Sequence, residues 1–288
     1  MPSVDTASAI AVLLEDFSLE MTGKDVPKLE EARGLIPAGT RINVTFLGNE
    51  DLPMRLAAAQ AVRRYGFVPV PHISARRLRS QAELEVFLAA LHSGGTSDSV
   101  FVVGGDPAQA HGPYAEALSV IRSGLLQQYG VRDIGITGYP EGHPDIPAPA
   151  LWSAIEGKAA ALAEQEVPGS VITQFGFDVD PVLAWVEQLR ARGVTLPVRI
   201  GVPGPAGIKR LMSYAARFGV GTSASVAKKY GFSITNLMGT TGPGKFIHAL
   251  GERYDAERHG ELRLHFYTFG GLRATSEWIA DFKREALA

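Results

Sequence analysis

Short apolar runs recur eight times along this chain, and segments of helical periodicity separate them. The runs are DFSLEMT (16–22), RINVTFLG (41–48), FVPVPHIS (67–74), SVFVVGGD (99–106), DIGITGYP (133–140), SVITQFGF (170–177), PVRIGVPG (197–204) and RLHFYTFG (263–270). Each is short, rich in strand-forming residues and closed by Gly, Pro or a polar residue. Between them lie amphipathic stretches such as MRLAAAQAVRRYG, AELEVFLAALHSGG, PVLAWVEQLRARG and GIKRLMSYAARFG. Several end in glycine, a common helix stop. Alternating β and α units predict a parallel sheet. Eight units in about 250 residues fit an α/β fold of the closed (β/α)8, or TIM, barrel type. A doubly wound open sheet is the rival, but the glycine fingerprint of a dinucleotide-binding first unit is missing. No linker rich in Ser, Gly or Pro divides the chain. A single domain over residues 1–288 is expected, with a helical insertion at 221–260 before the last strand.

A barrel of this kind builds its active site from the C-terminal strand ends and the loops that follow them. Polar residues gather there: Glu20 on the first run, Thr45 on the second, His72 on the third, Asp106 on the fourth, Tyr139 on the fifth and Gln174 on the sixth. A polar group inside a barrel mouth costs free energy unless it is paired. Gln174 and Thr45 each have a plain alternative, a hydrogen bond to a neighbouring strand. Six such strands together point to a ligand mouth.

Composition narrows the chemistry. The chain has no cysteine, which excludes disulfides, thiolate metal sites, Fe–S clusters and a cysteine nucleophile. The seven histidines are scattered without metal-ligand spacing, so no metal site is expected. A net charge of −2 gives no basic field for nucleic acid or an anionic membrane. The opening MPSVDTASAIAVLLEDFS lacks a basic leader region and reads as a short amphipathic helix. No run of about 18 apolar residues is present to span a bilayer. A cytoplasmic location is the expectation.

Two glycine-rich stretches are weaker signals. GTTGPGKF (239–246) approaches a phosphate-binding loop, but Phe246 stands where a magnesium-binding Ser or Thr is needed and no strand leads into it. It reads as a loop with a helix start. GVPGPAG (201–207) either lets backbone approach a ligand or serves as a turn.

Four stretches together resemble the methylenetetrahydrofolate reductase family: FSLEM with its glutamate, GGDP after the fourth run, GYPEGHP after the fifth and ITQFGFD on the sixth. VTFLGN and LHFYTF sit where that family has similar segments. The order and spacing agree along nearly the whole chain. The resemblance implies a (β/α)8 barrel that reduces 5,10-methylenetetrahydrofolate to 5-methyltetrahydrofolate with NADH or NADPH, usually through bound FAD. It places the chain in one-carbon metabolism and methionine biosynthesis.

The same resemblance assigns roles. The substrate's methylene bridge must open to an iminium before hydride adds, and opening needs a proton on the leaving nitrogen. Glu20 matches the family's acid, and its neighbours Leu19 and Met21 favour a protonated carboxyl. A carboxylate paired with Lys or Arg is the alternative. Asp106 matches the carboxylate that meets the pterin edge; helix N-capping is its alternative. Gln174 matches the folate-contacting amide, which both donates and accepts. Tyr214 matches a stacking aromatic, against ordinary helix-face packing. Arg210, with Lys209, suits the anionic glutamate tail of the substrate, against a solvated basic face.

The sequence departs from the family mainly at the flavin. Gly104 stands where the family's fourth strand has arginine, and the helix after GYPEGHP reads ALWSAIEGK, with Lys158 its only basic residue. Thr45, His72, Tyr139 and His143 still match flavin-side positions. A pyrophosphate needs cations, a helix N-terminus or a glycine nest. Direct hydride transfer from NAD(P)H therefore fits at least as well as a flavoprotein. Two other readings stand beside the reductase. A folate-binding barrel without reductase activity has no need of Glu20. A barrel lyase or aldolase lacks a lysine at a strand end for a Schiff base. Oligomeric state, including a homo-oligomer, is left open.

Overall fold

The computed structural model describes residues 6–218 and 240–287. Eight parallel strands close into a barrel: β1 (Ser18–Met21), β2 (Arg41–Val44), β3 (Val68–Ser74), β4 (Ser99–Val103), β5 (Asp133–Gly138), β6 (Gly169–Thr173), β7 (Val198–Pro203) and β8 (Leu262–Tyr267). Each lies within one of the eight apolar runs or overruns it by one residue. Closure comes from β1 against β8, with Ser18 opposite His265 and Leu19 opposite Phe266. The architecture is the TIM barrel that the alternation predicts.

The helices form because apolar stripes meet good caps. α1 (Thr6–Glu15) is the amphipathic opening segment, and it buries Ala9, Ile10, Leu13 and Leu14. α2 (Val26–Ala32) follows β1. α3 (Leu52–Arg64) starts at Asp51, whose carboxylate accepts from the Met54 N–H. α4 (Gln81–Ser93) is capped by Ser80 through the Glu83 N–H. Short α5 (Ala117–Ile121) and α6 (Leu125–Gln128) precede β5. α7 (Ala148–Glu164) follows β5, and α8 (Val179–Ala191) is capped by Asp178. Such caps are worth about 1 kcal/mol each. α9 (Ile208–Phe218), α10 (Gly244–Arg253), α11 (Ala256–His259) and α12 (Leu272–Ala286) are the other α-helices among the described residues.

Of the insertion expected at 221–260, residues 221–239 lie outside the described residues. Thr240–Thr241 pairs antiparallel with Ala206–Gly207, and α10 and α11 fill the remainder. GTTGPGKF thus runs from that pair into the start of α10.

Side-chain alternation sorts the barrel into two cores. Leu19, Met21, Ile42, Val44, Ile73, Val100, Val102, Ile134, Ile136 and Val171 face the helices and belong to the main core. Val70, Phe101 and Ile172 form a separate cluster. They are the alternate-parity residues of their strands and plug the interior. Above that plug lies the mouth, covered on one side by Phe175, Phe177, Leu211 and Ala215, with Tyr214, Tyr267 and Phe269 against them.

Candidate active site

Glu20 is the third residue of β1, between Leu19 and Met21, which are fully buried. Strand alternation turns its carboxyl inward, where its side chain keeps 21% exposure. Two imidazoles flank it: His72 Nε2 and His265 Nε2 each lie 3.8 Å from Glu20 Oε2. These are contacts, longer than hydrogen bonds. Burial pushes the His72 imidazolium down to about 4, with the Glu20 charge opposing and His265 adding to the shift. His72 is therefore neutral at pH 7, and its Nε2 lies 3.1 Å from the Asn43 amide nitrogen. His265 is fully buried and its Nδ1 lies 2.9 Å from the Ser18 hydroxyl.

Three polar atoms around this cluster are buried with no hydrogen-bond partner among the described residues: Thr45 Oγ1, Ser74 Oγ and His265 Nε2. Each such atom costs about 1–3 kcal/mol if nothing meets it. They come from the C-terminal ends of β2 and β3 and from inward-facing β8, so the unsatisfied groups gather at the mouth. Tyr267, also on β8, donates its hydroxyl proton to the Thr173 carbonyl at 2.9 Å. Burial first, then the charges of Glu20 and Tyr139, hold its phenol well above the usual value. The Thr268 hydroxyl fixes β1 from behind by donating to the Glu20 carbonyl at 2.6 Å.

The proposed substrate-contacting residues lie around the rim in different states. Asp106 caps no helix; it pairs with Arg77 at 2.5 Å and is itself 65% exposed. Gln174 follows β6, and its side-chain oxygen accepts from the Phe175 N–H at 3.1 Å. Tyr214 stacks on Phe269 with ring centroids 4.1 Å apart and planes 10° from parallel. Arg210 donates to the Phe269 carbonyl at 2.8 Å. Tyr214 and Arg210 thus bind α9 to the loop after β8.

On the β5 side, Tyr139 and His143 meet edge to face at 5.4 Å, and His143 Nδ1 accepts from the Asp145 N–H. Lys158 is buried on α7, its ammonium 2.9 Å from Thr137 Oγ1. A cavity of about 280 Å³ lies behind this strand end, lined by Gly138, Pro140, Trp152, Trp185 and Gln188. Neither Glu20 nor its two histidines line it.

The sequence profile of methylenetetrahydrofolate reductase matches residues 30–221. The chain belongs to the methylenetetrahydrofolate reductase family. Methylenetetrahydrofolate reductase 2 of Saccharomyces cerevisiae is 27% identical over 172 residues, covering 56% of this chain and 26% of the yeast protein. Methylenetetrahydrofolate reductase 1 of Schizosaccharomyces pombe is 36% identical over 69 residues, 24% of this chain and 11% of that protein. The matches therefore span at most about a quarter of those relatives. A solved structure of an uncharacterized Clostridium thermocellum protein, which binds two copies of 5-methyl-5,6,7,8-tetrahydrofolic acid, shares the fold. It superposes with a TM-score of 0.61 at 11% identity, covering 96% of this chain and 98% of that one.

Membership of this reductase family raises the question of FAD, and the described cations of the β4–β5 side are engaged by the protein itself. A Cβ at Gly104 would meet nothing within 4 Å, so the seat of the family's arginine is open. Lys158, expected as the remaining cation, is turned into the barrel wall and engaged by Thr137. Of the two nearby arginines, Arg76 donates to the Ala115 and Pro107 carbonyls and Arg77 is held by Asp106. Gly105, at φ +96°, keeps the loop close: a side chain there would press on Ser74 Oγ.

Ser18, Asn43, His265, Tyr267, Arg77 and Thr137 are site residues that sequence reasoning did not single out. For four of them a signal was present. Ser18 shares strand parity with Glu20, Asn43 with Thr45, and His265 with Tyr267. Polar residues at alternate positions of a barrel strand face the interior.

Proposed function

We propose that this protein reduces 5,10-methylenetetrahydrofolate to 5-methyltetrahydrofolate with NADH or NADPH, or runs the reverse oxidation, with Glu20 as general acid. The observation that carries this reading is the Glu20 carboxyl set between two buried histidines at the barrel mouth of a chain from this family.

Glu20 gives its proton to the nitrogen that leaves as the methylene bridge opens. Hydride from the dihydronicotinamide then adds to the iminium carbon. The proton and the hydride together account for the reduction. His72, neutral from burial, sets no positive charge against the Glu20 carboxyl. His265 Nε2, 3.8 Å from Glu20 Oε2 and without a hydrogen bond among the described residues, offers a route by which Glu20 is reprotonated. Contacts of 3.8 Å in a ligand-free site shorten when substrate excludes water. The folate comes to this chain by family, and by analogy with the ligand of the Clostridium fold neighbour. Asp106 and Gln174 are assigned to the pterin edge, with Arg210 and Lys209 to the glutamate tail.

We read the reaction as flavin-independent, because the cations that a flavin pyrophosphate needs are engaged by the protein or replaced by Gly104. The test is NAD(P)H oxidation with methylenetetrahydrofolate, using pure protein without added FAD. Turnover by a colourless protein is the expected result. One flavin per chain, seen as absorbance near about 450 nm, overturns the flavin-independent reading. Folate binding without any NAD(P)H oxidation favours a binding protein over a reductase.

A further inference from the structure

We propose that Asn43 is a positioning residue that holds His72 in its Nδ1–H tautomer, so that His72 neither donates to Glu20 nor takes its proton. The inference deepens the reading of Glu20 as the acid and rests on it.

Asn43 is the third residue of β2 and is 1% exposed. The β1–β2 ladder sets it opposite Glu20. The β2–β3 ladder sets it opposite Val70, two residues before His72. Strand alternation turns these side chains to the same interior. Asn43 Nδ2 lies 3.1 Å from His72 Nε2, and Phe101 packs against the imidazole with ring centroids 4.8 Å apart.

An amide nitrogen donates and does not accept. His72 Nε2 is therefore the bare nitrogen, and the ring proton sits on Nδ1. A bare imidazole nitrogen has one lone pair, and the Asn43 N–H occupies it. Glu20 Oε2, 3.8 Å from the same nitrogen, meets neither an N–H nor a free lone pair there. Burial lowers the His72 imidazolium to about 4, so a second ring proton is absent at pH 7.

An N–H aimed at Glu20 would favour its anion and drain the acid that the reaction needs. Asn43 withholds that N–H. The other titratable groups that interact with Glu20 are Tyr267 and His265, both on β8. Tyr267 gives its O–H to the Thr173 carbonyl, and His265 Nδ1 is engaged with the Ser18 hydroxyl. His265 Nε2, also 3.8 Å from Glu20 Oε2, has no hydrogen-bond partner among the described residues. The two imidazoles thus differ in role: His72 is closed to proton exchange with Glu20, and His265 is open to it.

Nitrogen NMR of the histidine rings reads the tautomer in the ligand-free full chain. The His72 signals are those lost in His72→Gln. Wild type should show His72 protonated at Nδ1 and bare at Nε2. Asn43→Leu keeps the side-chain size and removes the donor, which leaves Glu20 as the acceptor within reach, so the proton should move to Nε2. The alkaline limb of the NAD(P)H oxidation rate should then fall about one pH unit lower, because the carboxylate has gained a donor. The Kd for 5-methyltetrahydrofolate should stay within about threefold. If Asn43→Leu does not fold, Asn43→Ser, with its shorter side chain, takes its place. A wild-type His72 protonated at Nε2 overturns the proposal whatever the protein catalyses. So does a tautomer switch that leaves the alkaline limb unmoved. A wild type with the expected tautomer and switch that oxidises no NAD(P)H overturns the reaction and leaves the Asn43–His72 lock standing.

Discussion

The two sides of the barrel mouth handle charge in opposite ways. On the β1–β3–β8 side, Glu20, His72 and His265 converge on one point, and no lysine or arginine pairs with the carboxyl among the described ion pairs. On the β4–β5 side, Asp106 is held by Arg77, Lys158 by Thr137 and Arg76 by backbone carbonyls. The first side is set by strand parity and register, which a point substitution does not move. The second is built from loops and a helix face, where one change of side chain removes a cation or turns it inward. Proton chemistry and anion binding can therefore part company on a single fold.

The sharpest way to break this contrast is Glu20→Gln. The amide keeps the shape but supplies no proton, so the rate should fall by about 10²–10⁴-fold. Affinity for 5-methyltetrahydrofolate should change by no more than about threefold, since the loss falls on the transition state. A variant that keeps more than about a tenth of the rate removes Glu20 from the acid role.

Acid titration tests the converging side as a structural unit. The folded-state pKa of His72, about 4, lies below its usual 6.5. The unfolded chain binds this proton more readily. The contribution is therefore complete above pH 6.5 and is lost as pH falls towards 4. The full loss is about 3 kcal/mol, most of it reached by pH 4.5. Denaturant unfolding at pH 7.5 and pH 4.5 should show that much less pH dependence in His72→Gln. An unchanged slope would place the buried neutral imidazole elsewhere.

The rest of the rim should respond more weakly. Asp106→Asn and Gln174→Ala should each weaken folate binding by about 1–3 kcal/mol, read by titration. Arg77→Gln should cost less than about 1 kcal/mol of stability, because Asp106 in that pair is 65% exposed. A cheap pair lets Asp106 exchange Arg77 for a pterin edge. A large loss of stability in Arg77→Gln would instead make the pair structural and weaken the assignment of Asp106 to substrate.

Much of this molecule is local and therefore legible. β-branched runs and helical periodicity place every barrel strand, because short-range sterics and alternation act within a few residues. The inward position of Glu20 follows from the same alternation, and the family from motifs that are contiguous in the chain. The interpretations of Asp106 and Lys158 needed more. Neither an N-cap nor a free cation is what the structure holds, since each side chain's partner comes from another element.

The sequence by itself thus determined the eight-unit barrel, the polar character of its mouth and the carboxyl on its first strand. Only the tertiary structure decided what each charge meets. Ser18 reaches His265 across 247 residues because β1 closes on β8, and Arg77 reaches Asp106 across 29 because neighbouring strand ends share a rim. Such pairings depend on closure and register, which arise from the whole barrel packing at once. A linear reading sees the residues and their parity; the free energy that chooses their partners exists only after the ring of strands is shut.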